Sequence, residues 1–576
     1  MKEPFPGALL VEENRPNVII LLTDDQGYGD LSCHGNPELQ TPSMDKLRQE
    51  SVRLDNFHVA PICTPTRSQL LTGCDALRNG AYSWAYGHEC IFPEIPTMAD
   101  IFRDSGYRTG HFGKWHLGDN YPFRPYDRGF DASIHHKGAA ITQTPDYWNN
   151  DYFDDHYWDK DEVRQFKGYC TDVWFREAIA FIEECREASA PFFLYLPTNC
   201  PHGPHYVPDQ YREPYRHLGH KLSSFFGMIA NIDENITRLD EFLEENELKE
   251  NTILMFMTDN GGTAGVEYYN AGMRGSKGTL FEGGHRVPSF IRWPKRNLNH
   301  GQDLKQVTQV QDILPTLMAL CRLDAPEGFY CDGVDLTSIL LGGESETLNE
   351  RKLVVQFTRR PPVPQKHDAC VIWQNWRLIS GKELYDIGND SAQENDISDE
   401  FPEIVAELKR HYEAWWQGIE PSIQRVNAFP VGGENTQVVD LCLFDWDDYE
   451  GEVNNTPQRS VRQGARIMGD WHIEIEKAGE YTFEMRRWPP EAETAIAGGL
   501  DEYRAEDDIF PEGISLPITK AILAVEGQNR EIAVGQNDAT VSATLSLEKG
   551  KTTIRSVFCD KDDEVLCGVY YLRVCC

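Results

Sequence analysis

The sequence predicts an α/β protein: a mixed sheet sandwiched by helices, then a small antiparallel sheet subdomain, then a C-terminal all-β sandwich. Three observations predict this. Over residues 1–345, continuous apolar runs alternate with runs of helical period, the pattern of a mostly parallel sheet covered on both faces. Over 346–425 the apolar runs shorten and alternate, and one long helical stretch closes the segment. Over 426–576 only short alternating strands remain, separated by turn residues.

In chain order, Pro16–Asp25 reads as a fully buried strand ending in two carboxylates. Thr41-Pro42-Ser43 opens a helix through Met44, Leu47 and Val52, and Pro96-Thr97-Met98 opens another through Ile101 and Phe102. Tyr107–Phe112 is a short strand followed by Gly113-Lys114-Trp115-His116. Residues 119–170 show no clear period and read as a long functional loop, rich in aromatics and acids. Residues 171–186 form a helix, Pro191–Leu196 a strand ending near Pro201-His202, and 222–247 a long helix. Thr252–Met257 is a strand ending at Thr258-Asp259-Asn260-Gly261-Gly262. A Gly-rich loop with Arg274 and Lys277 follows, then the strand Val287–Arg292 and the helix Asp312–Leu320. Polar residues thus follow one apolar strand after another, and ligands of such sheets bind beyond the carboxyl ends of the strands.

Composition narrows the function. There are 55 Lys and Arg against 92 Asp and Glu, a net charge of −37, which argues against nucleic acid and anionic membranes as partners. An anionic substrate would need a locally basic pocket. No apolar stretch is long enough to cross a bilayer. The first residues lack an apolar signal core, which reads as cytoplasmic if Met1 is native and as periplasmic or secreted if a leader has been trimmed. The odd count of 15 Cys, without metal-finger spacing, reads mostly as free thiols.

The chain is organised around Cys63-Thr64-Pro65-Thr66-Arg67. Pro65 suits a first helical turn and Thr64 an N-cap, so Cys63 is expected at a helix mouth that favours anions and acidifies a thiol. Asp24, Asp25, Asp259 and Asn260 offer only oxygen, which suits Ca²⁺ or Mg²⁺ rather than Zn²⁺. Arg67, Lys114 and Lys277 would neutralise an oxyanion at the same edge.

These residues, with Leu-Thr-Asp-Asp-Gln-Gly-Tyr-Gly-Asp, Gly-Lys-Trp-His-Leu-Gly, Thr-Asp-Asn-Gly-Gly and Arg-Gly-Ser-Lys-Gly in chain order over about residues 16–390, resemble the type I sulfatases. The resemblance implies an alkaline phosphatase-like fold, hydrolysis of a sulfate ester, and conversion of Cys63 to Cα-formylglycine by a dedicated formylglycine-generating enzyme. It implies that residue 63, as the hydrated aldehyde, attacks sulfur, and that Asp24, Asp25, Asp259, Asn260 and residue 63 hold a divalent cation, Ca²⁺ or Mg²⁺. Arg67 then supports the hydrated aldehyde, and Lys114 and Lys277 hold sulfate oxygens. His202 is the acid for the leaving alcohol, and His116 helps deprotonate the second hydroxyl, which expels sulfate.

The alcohol is not fixed by these residues. A sulfated carbohydrate is the preferred substrate class. An aryl sulfate, and a phosphodiester or phosphonate substrate of the same superfamily, are the alternatives. The loop 145–156, His205, His285, Arg286 and Arg359-Arg360-Pro361-Pro362 are subsite candidates, each equally open to a structural role. In the C-terminal region Trp471, Tyr481 and Trp488 read as core before sugar-stacking residues. A lectin-like, lid or dimerisation role stays open there, as does homo-oligomerisation.

Overall fold

The computed structural model describes residues 15–296, 298–358, 363–451 and 457–576. Ten strands form the main sheet: β1 (Asn17–Thr23), β2 (Val52–Leu54), β3 (Arg108–Lys114), β4 (Ala132–His136), β5 (His156–Asp159), β6 (Glu162–Gln165), β7 (Phe192–Pro197), β8 (Thr252–Thr258), β9 (Ser289–Arg292) and β10 (Asp303–Leu304). Their order is β10-β2-β9-β8-β1-β7-β3-β4-β5-β6. The central five, β8 to β4, are mutually parallel. β9 runs against β8 and β2, and β5 and β6 fold back antiparallel at the far edge, so the sheet is mixed.

β1 shows why its sequence is apolar without interruption. Val18, Ile20 and Leu22 face a core built with Leu70, Leu71, Met98, Phe102 and Leu314. Ile19 and Leu21 face the opposite core with Met44, Leu47, Val173, Phe181 and Ile232. Helices cover both faces, so neither can be polar. Cys63–Thr72, Met98–Asp104 and Ile313–Cys321 lie on one side; Pro42–Gln49, Cys170–Glu187 and His220–Glu245 lie on the other.

The segment 119–170 is not one long loop. It contains β4, β5 and β6. β6 is exposed along its whole length, and an edge strand without a buried face leaves no period to read.

The strands Lys352–Gln356, Ala369–Trp373, Trp376–Ile379 and Glu383–Asp386 form a four-stranded antiparallel sheet. The helix Pro402–Ile423 packs on it through Leu408, Tyr412, Trp416 and Ile419. Beyond it, a seven-stranded and a four-stranded sheet enclose one core. Trp471, Tyr481 and Trp488 are buried in that core, so none offers a face to a sugar. The same core takes in Tyr86, Cys90, Phe123 and Trp148 of the first domain, so the sandwich is packed against it. No helix among the described residues is long and apolar enough to cross a membrane. All fifteen cysteines are free thiols.

Candidate active site

Register places the acidic residues together. β1 and β8 are parallel neighbours with Thr23 opposite Thr258, so Asp24-Asp25 and Asp259-Asn260 leave adjacent strand ends side by side. The Asp259 N–H donates to the Thr23 carbonyl at 3.0 Å, and the Asp24 N–H donates to the Cys200 carbonyl at 3.1 Å. Asp25 takes a left-handed backbone, φ 65°, which turns its N–H onto Asp259 Oδ1 at 3.1 Å. Such strain in a non-glycine residue persists only where the surroundings over-determine it. Asn260 Nδ2 donates to Asp25 Oδ1 at 2.9 Å. Asn260 Oδ1 is left buried with no hydrogen-bond partner among the described residues.

The helix Cys63–Thr72 points its N-terminus at this cluster. Its N-cap is Ile62 in extended backbone, not Thr64, and no side chain caps it. Thr64 lies inside the first turn, its hydroxyl 3.0 Å from His116 Nε2. All ten residues of the helix are buried, which is why its sequence shows no amphipathic stripe. Cys63 Sγ sits 3.4 Å from Asp24 Oδ1 and 3.3 Å from Lys277 Nζ. The thiol is not acidified, contrary to the sequence expectation. Burial pushes its pKa up, and the Asp24 and Asp259 carboxylates push it further. The positive end of a helix dipole, equivalent to about half a charge, does not offset that burial and the acidic neighbours.

The cations interleave with the acids. Arg67 donates to Asp259 Oδ2 at 2.9 and 3.3 Å and to the Lys114 carbonyl at 3.1 Å. Lys114 Nζ bonds Asp24 Oδ2, and Lys277 Nζ bonds Asp25 Oδ1 at 2.6 Å. Asp24, Arg67 and Lys114 have no solvent exposure, so their charges are tolerable only as partners. Burial opposes ionisation of Asp24, yet Lys114 and the other cations hold its pKa well below the usual range. Asp259 is pushed up to about 7 by burial and by Asp24. Burial also opposes the charge on Lys277, but Asp25 outweighs it and holds the ammonium protonated.

Ligand atoms of Asp24, Asp25, Cys63 and His202 lie within 4.8 Å of one another. With the unpartnered Asn260 Oδ1 beside them, carboxylate and amide oxygens dominate, a donor set that fits a hard divalent cation. Asp259 differs from the others: its two oxygens already accept from the Asp25 N–H and from Arg67. His202 Nδ1 donates to the Gly203 carbonyl at 2.6 Å, which leaves Nε2 facing Asp25 Oδ2 at 3.8 Å. Burial, then Lys277, lowers the His202 pKa. His116, also left-handed at φ 60°, has Nε2 2.8 Å from the Trp84 carbonyl, so the hydrogen is there. Its Nδ1 is buried with no hydrogen-bond partner among the described residues and keeps a free lone pair. Lys277 and His202 are each 22% exposed, so the cluster opens to solvent on their side.

All six residues expected to do chemistry, and all the expected oxygen ligands, therefore converge. Sequence reasoning missed Trp84, which acts through its carbonyl and so leaves no side-chain signal; Tyr152, in the candidate loop 145–156, donates its hydroxyl to the His202 carbonyl at 3.2 Å. The subsite candidates fare less well. In the loop 145–156, Trp148 packs on Trp488 and Tyr152 is fully buried, so the loop is mostly an interface with the sandwich. His205 lies beside His202 on the rim. His285 is fully buried against His58, away from any subsite, and Arg286 covers the Tyr28 ring. Arg359-Arg360-Pro361-Pro362 lies outside the described residues.

A family profile described as Sulfatase matches residues 16–323, which carry every residue of this cluster. The chain belongs to the sulfatase family. N-acetylgalactosamine-6-sulfatase of Canis lupus familiaris is 31% identical over 57% of this chain and 66% of its own length. Arylsulfatase J of Mus musculus is 31% identical over 66% of this chain and 67% of its own. The match thus spans about two thirds of these relatives. Among solved structures, Ps i-CgsB in complex with k-i-k-neocarrahexaose aligns with a TM-score of 0.63 and 25% identity, over 70% of this sulfatase and 92% of that chain. The mixed sheet with helices on both faces is the alkaline phosphatase-like arrangement of these neighbours.

Proposed function

We propose that this sulfatase hydrolyses the sulfate ester of a sulfated carbohydrate, using formylglycine made from Cys63 and a divalent cation, Ca²⁺ in preference to Mg²⁺. The observation that carries the reading is Cys63 itself, set at a helix mouth between Asp24 and the Lys277 ammonium. A buried thiol with a raised pKa is a poor nucleophile, so its position makes sense as a precursor. Formylglycine would supply a hydrated aldehyde, and the cation would supply Lewis acidity toward a sulfate oxygen. Asp24, Asp25, Asp259, Asn260 and residue 63 would hold that cation; the unpartnered Asn260 Oδ1 and the oxygen-rich set support this assignment.

The remaining roles belong to the chain's own side chains. Lys114 and Lys277 neutralise the sulfate group on two sides. Arg67 keeps Asp24 and Asp259 in place and helps hold Asp24 ionised. His202 acts here as an imidazolium: its Nδ1–H stays on the Gly203 carbonyl, and its Nε2–H, on the open side and facing Asp25, goes to the ester oxygen as the alcohol leaves, the anionic sulfate favouring the charge that burial opposes. His116 Nδ1, with its lone pair free, takes a proton from a hydroxyl on residue 63. A formylglycine-generating enzyme acts on the chain during maturation. Residues 426–576 form an accessory unit, and its packing on the loop 145–156 supports a role in bracing the substrate side.

The carbohydrate class rests on relatives: an N-acetylgalactosamine-6-sulfatase, and neighbours solved with k-i-k-neocarrahexaose and, in another case, with a substrate D-glucosamine-2-N,6-O-disulfate at a TM-score of 0.59. A panel of defined sulfated oligosaccharides, aryl sulfates and phosphate diesters tests the reading with protein co-expressed with the modifying enzyme. Sulfate release from an oligosaccharide with the highest kcat/KM, abolished by Cys63→Ala, is the expected result. Faster turnover of aryl sulfates or phosphate diesters, or retained activity in Cys63→Ala, would overturn it.

A further inference from the structure

Three buried side chains outside this site meet without a hydrogen to share. His58 and His285 face each other, Nδ1 to Nδ1, at 2.9 Å. Their outer nitrogens fix both tautomers. His285 Nε2 lies 3.1 Å from the Leu280 carbonyl, so the hydrogen is on Nε2. His58 Nε2 lies 2.8 Å from Asn56 Oδ1. That amide cannot be turned round, because the Arg377 guanidinium donates to the same oxygen at 3.2 Å. His58 therefore also carries its hydrogen on Nε2. Each ring thus turns an Nδ1 without a hydrogen toward the other. Two lone pairs at 2.9 Å repel unless a proton lies between them or an ion lies to one side of the line joining them, where Glu282 stands. Glu282 adds a third free donor. Its Oε1 accepts from Arg377 at 2.6 Å, while Oε2 is buried with no hydrogen-bond partner among the described residues. Ligand atoms of the three side chains lie within 4.8 Å of one another.

We infer that His58, Glu282 and His285 bind a divalent first-row transition ion of the zinc class. One cation satisfies both Nδ1 lone pairs and the carboxylate oxygen that has no hydrogen bond, Arg286 being 3.6 Å from it. The contacts behind the donors are those that orient metal ligands: each ring N–H goes to a carbonyl oxygen, and the carboxylate is hydrogen-bonded by a guanidinium. Two imidazoles and a carboxylate suit zinc-class ions, whereas the oxygen-rich set around Asp24 suits a hard cation, so the two sites take different metals. The second ion acts as a staple. It ties the strand Phe57–His58, just ahead of Cys63, to the helix Glu282–His285 and, through Arg377, to the small sheet. The Lys277 loop is sewn down next to it: the Val59 N–H donates to the His285 carbonyl at 2.9 Å, and the Gly278 N–H to the Pro61 carbonyl at 2.8 Å.

The competing occupant is a single proton shared by the two rings; Arg377 and Arg286, the latter 3.6 Å from Glu282 Oε2, oppose a proton and a divalent ion alike, so they do not decide between them. Elemental analysis of untagged protein, equilibrated with Zn²⁺ or Co²⁺ and then gel-filtered, decides between them. The expected result is one retained transition ion per chain in the wild type and in Asp25→Asn, and loss of it in His58→Gln and His285→Gln. No retained ion in the wild type would overturn the proposal in favour of the shared proton. An ion lost in Asp25→Asn but kept in His285→Gln would overturn it by placing the ion at the acidic site. Should the histidine variants fail to fold, the visible absorption of the Co²⁺-loaded wild type still decides: bands of imidazole-ligated Co²⁺ are expected, and their absence refutes the site.

Discussion

Replacing His202 with Gln separates acid catalysis from binding. His202 Nδ1 is committed to the Gly203 carbonyl at 2.6 Å, so Nε2 is the nitrogen left for the substrate. It stands on the open side, 22% exposed, next to Asp25 and Lys277. A Gln amide donates a hydrogen bond from a similar place but cannot transfer a proton. General acid catalysis is worth roughly 100- to 10,000-fold, about 3–5 kcal/mol of barrier. The need for it depends on the leaving group. A sugar alkoxide is a strong base and must be protonated as the S–O bond breaks, whereas a nitrophenolate leaves unaided. His202→Gln is therefore expected to lower kcat/KM for a sulfated oligosaccharide by roughly 100- to 10,000-fold, and for nitrophenyl sulfate by less than about tenfold. Both substrates are assayed on one batch of enzyme, so the extent of Cys63 maturation cancels. Equal losses on the two substrates would refute the acid role and leave His202 as a binding or structural group.

Gly113→Ala tests how closely β3 and β7 must approach to deliver Lys114. Gly113 has φ 124°, and an added Cβ would lie 2.0 Å from the Pro197 carbonyl oxygen. A loss of about 1–3 kcal/mol of stability in urea, with a fall in kcat from a displaced Lys114, is expected; unchanged values of both would contradict this packing. Asp240 is a probe of charge pairing far from the site. Burial alone would raise its pKa, but Arg292, Lys46 and Lys249 hold it near 2, below an ordinary 3.8. A depressed carboxylate stabilises the fold above its unfolded pKa and loses that effect as pH falls through about 2. Asp240→Asn should therefore cost about 2 kcal/mol in urea unfolding at pH 6, shrinking as pH falls from about 4 to about 2, whereas a pH-independent difference would refute the pairing.

The parts of the fold legible in the sequence are those where one physical demand dominates. β1, β7 and β8 are buried on both faces, so they read as unbroken apolar runs, and the residues just past them are forced to one edge. That logic places Asp24, Asp25, Asp259, Asn260 and His202 without any structure, and Lys114 with them. Where demands compete, the reading breaks down. β5 and β6 lie at an edge and carry no period. Thr64 looks like a cap because it precedes Pro65, yet the helix begins two residues before Pro65, at Cys63, with Ile62 as its cap. The Cys63 thiol looks acidified because the helix mouth is visible in the sequence, whereas its burial beside Asp24 and Asp259 depends on the pairing of strands 235 residues apart. The aromatics of the loop 145–156 suggest sugar stacking until Trp488, from the far end of the chain, is found packed on Trp148. The His58–His285 pair is 227 residues apart in sequence and offers no spacing signal at all.

The central claim is that residue 63 acts as formylglycine to cleave sulfate esters. Its most direct test is the rate of sulfate release from a sulfated oligosaccharide, measured per mole of protein across preparations that differ in maturation. The fraction of the Cys63 peptide carrying an aldehyde in place of the thiol is read by mass spectrometry in each. The account predicts a rate proportional to that fraction and vanishing with it. A rate that persists when the peptide holds only the thiol would contradict it.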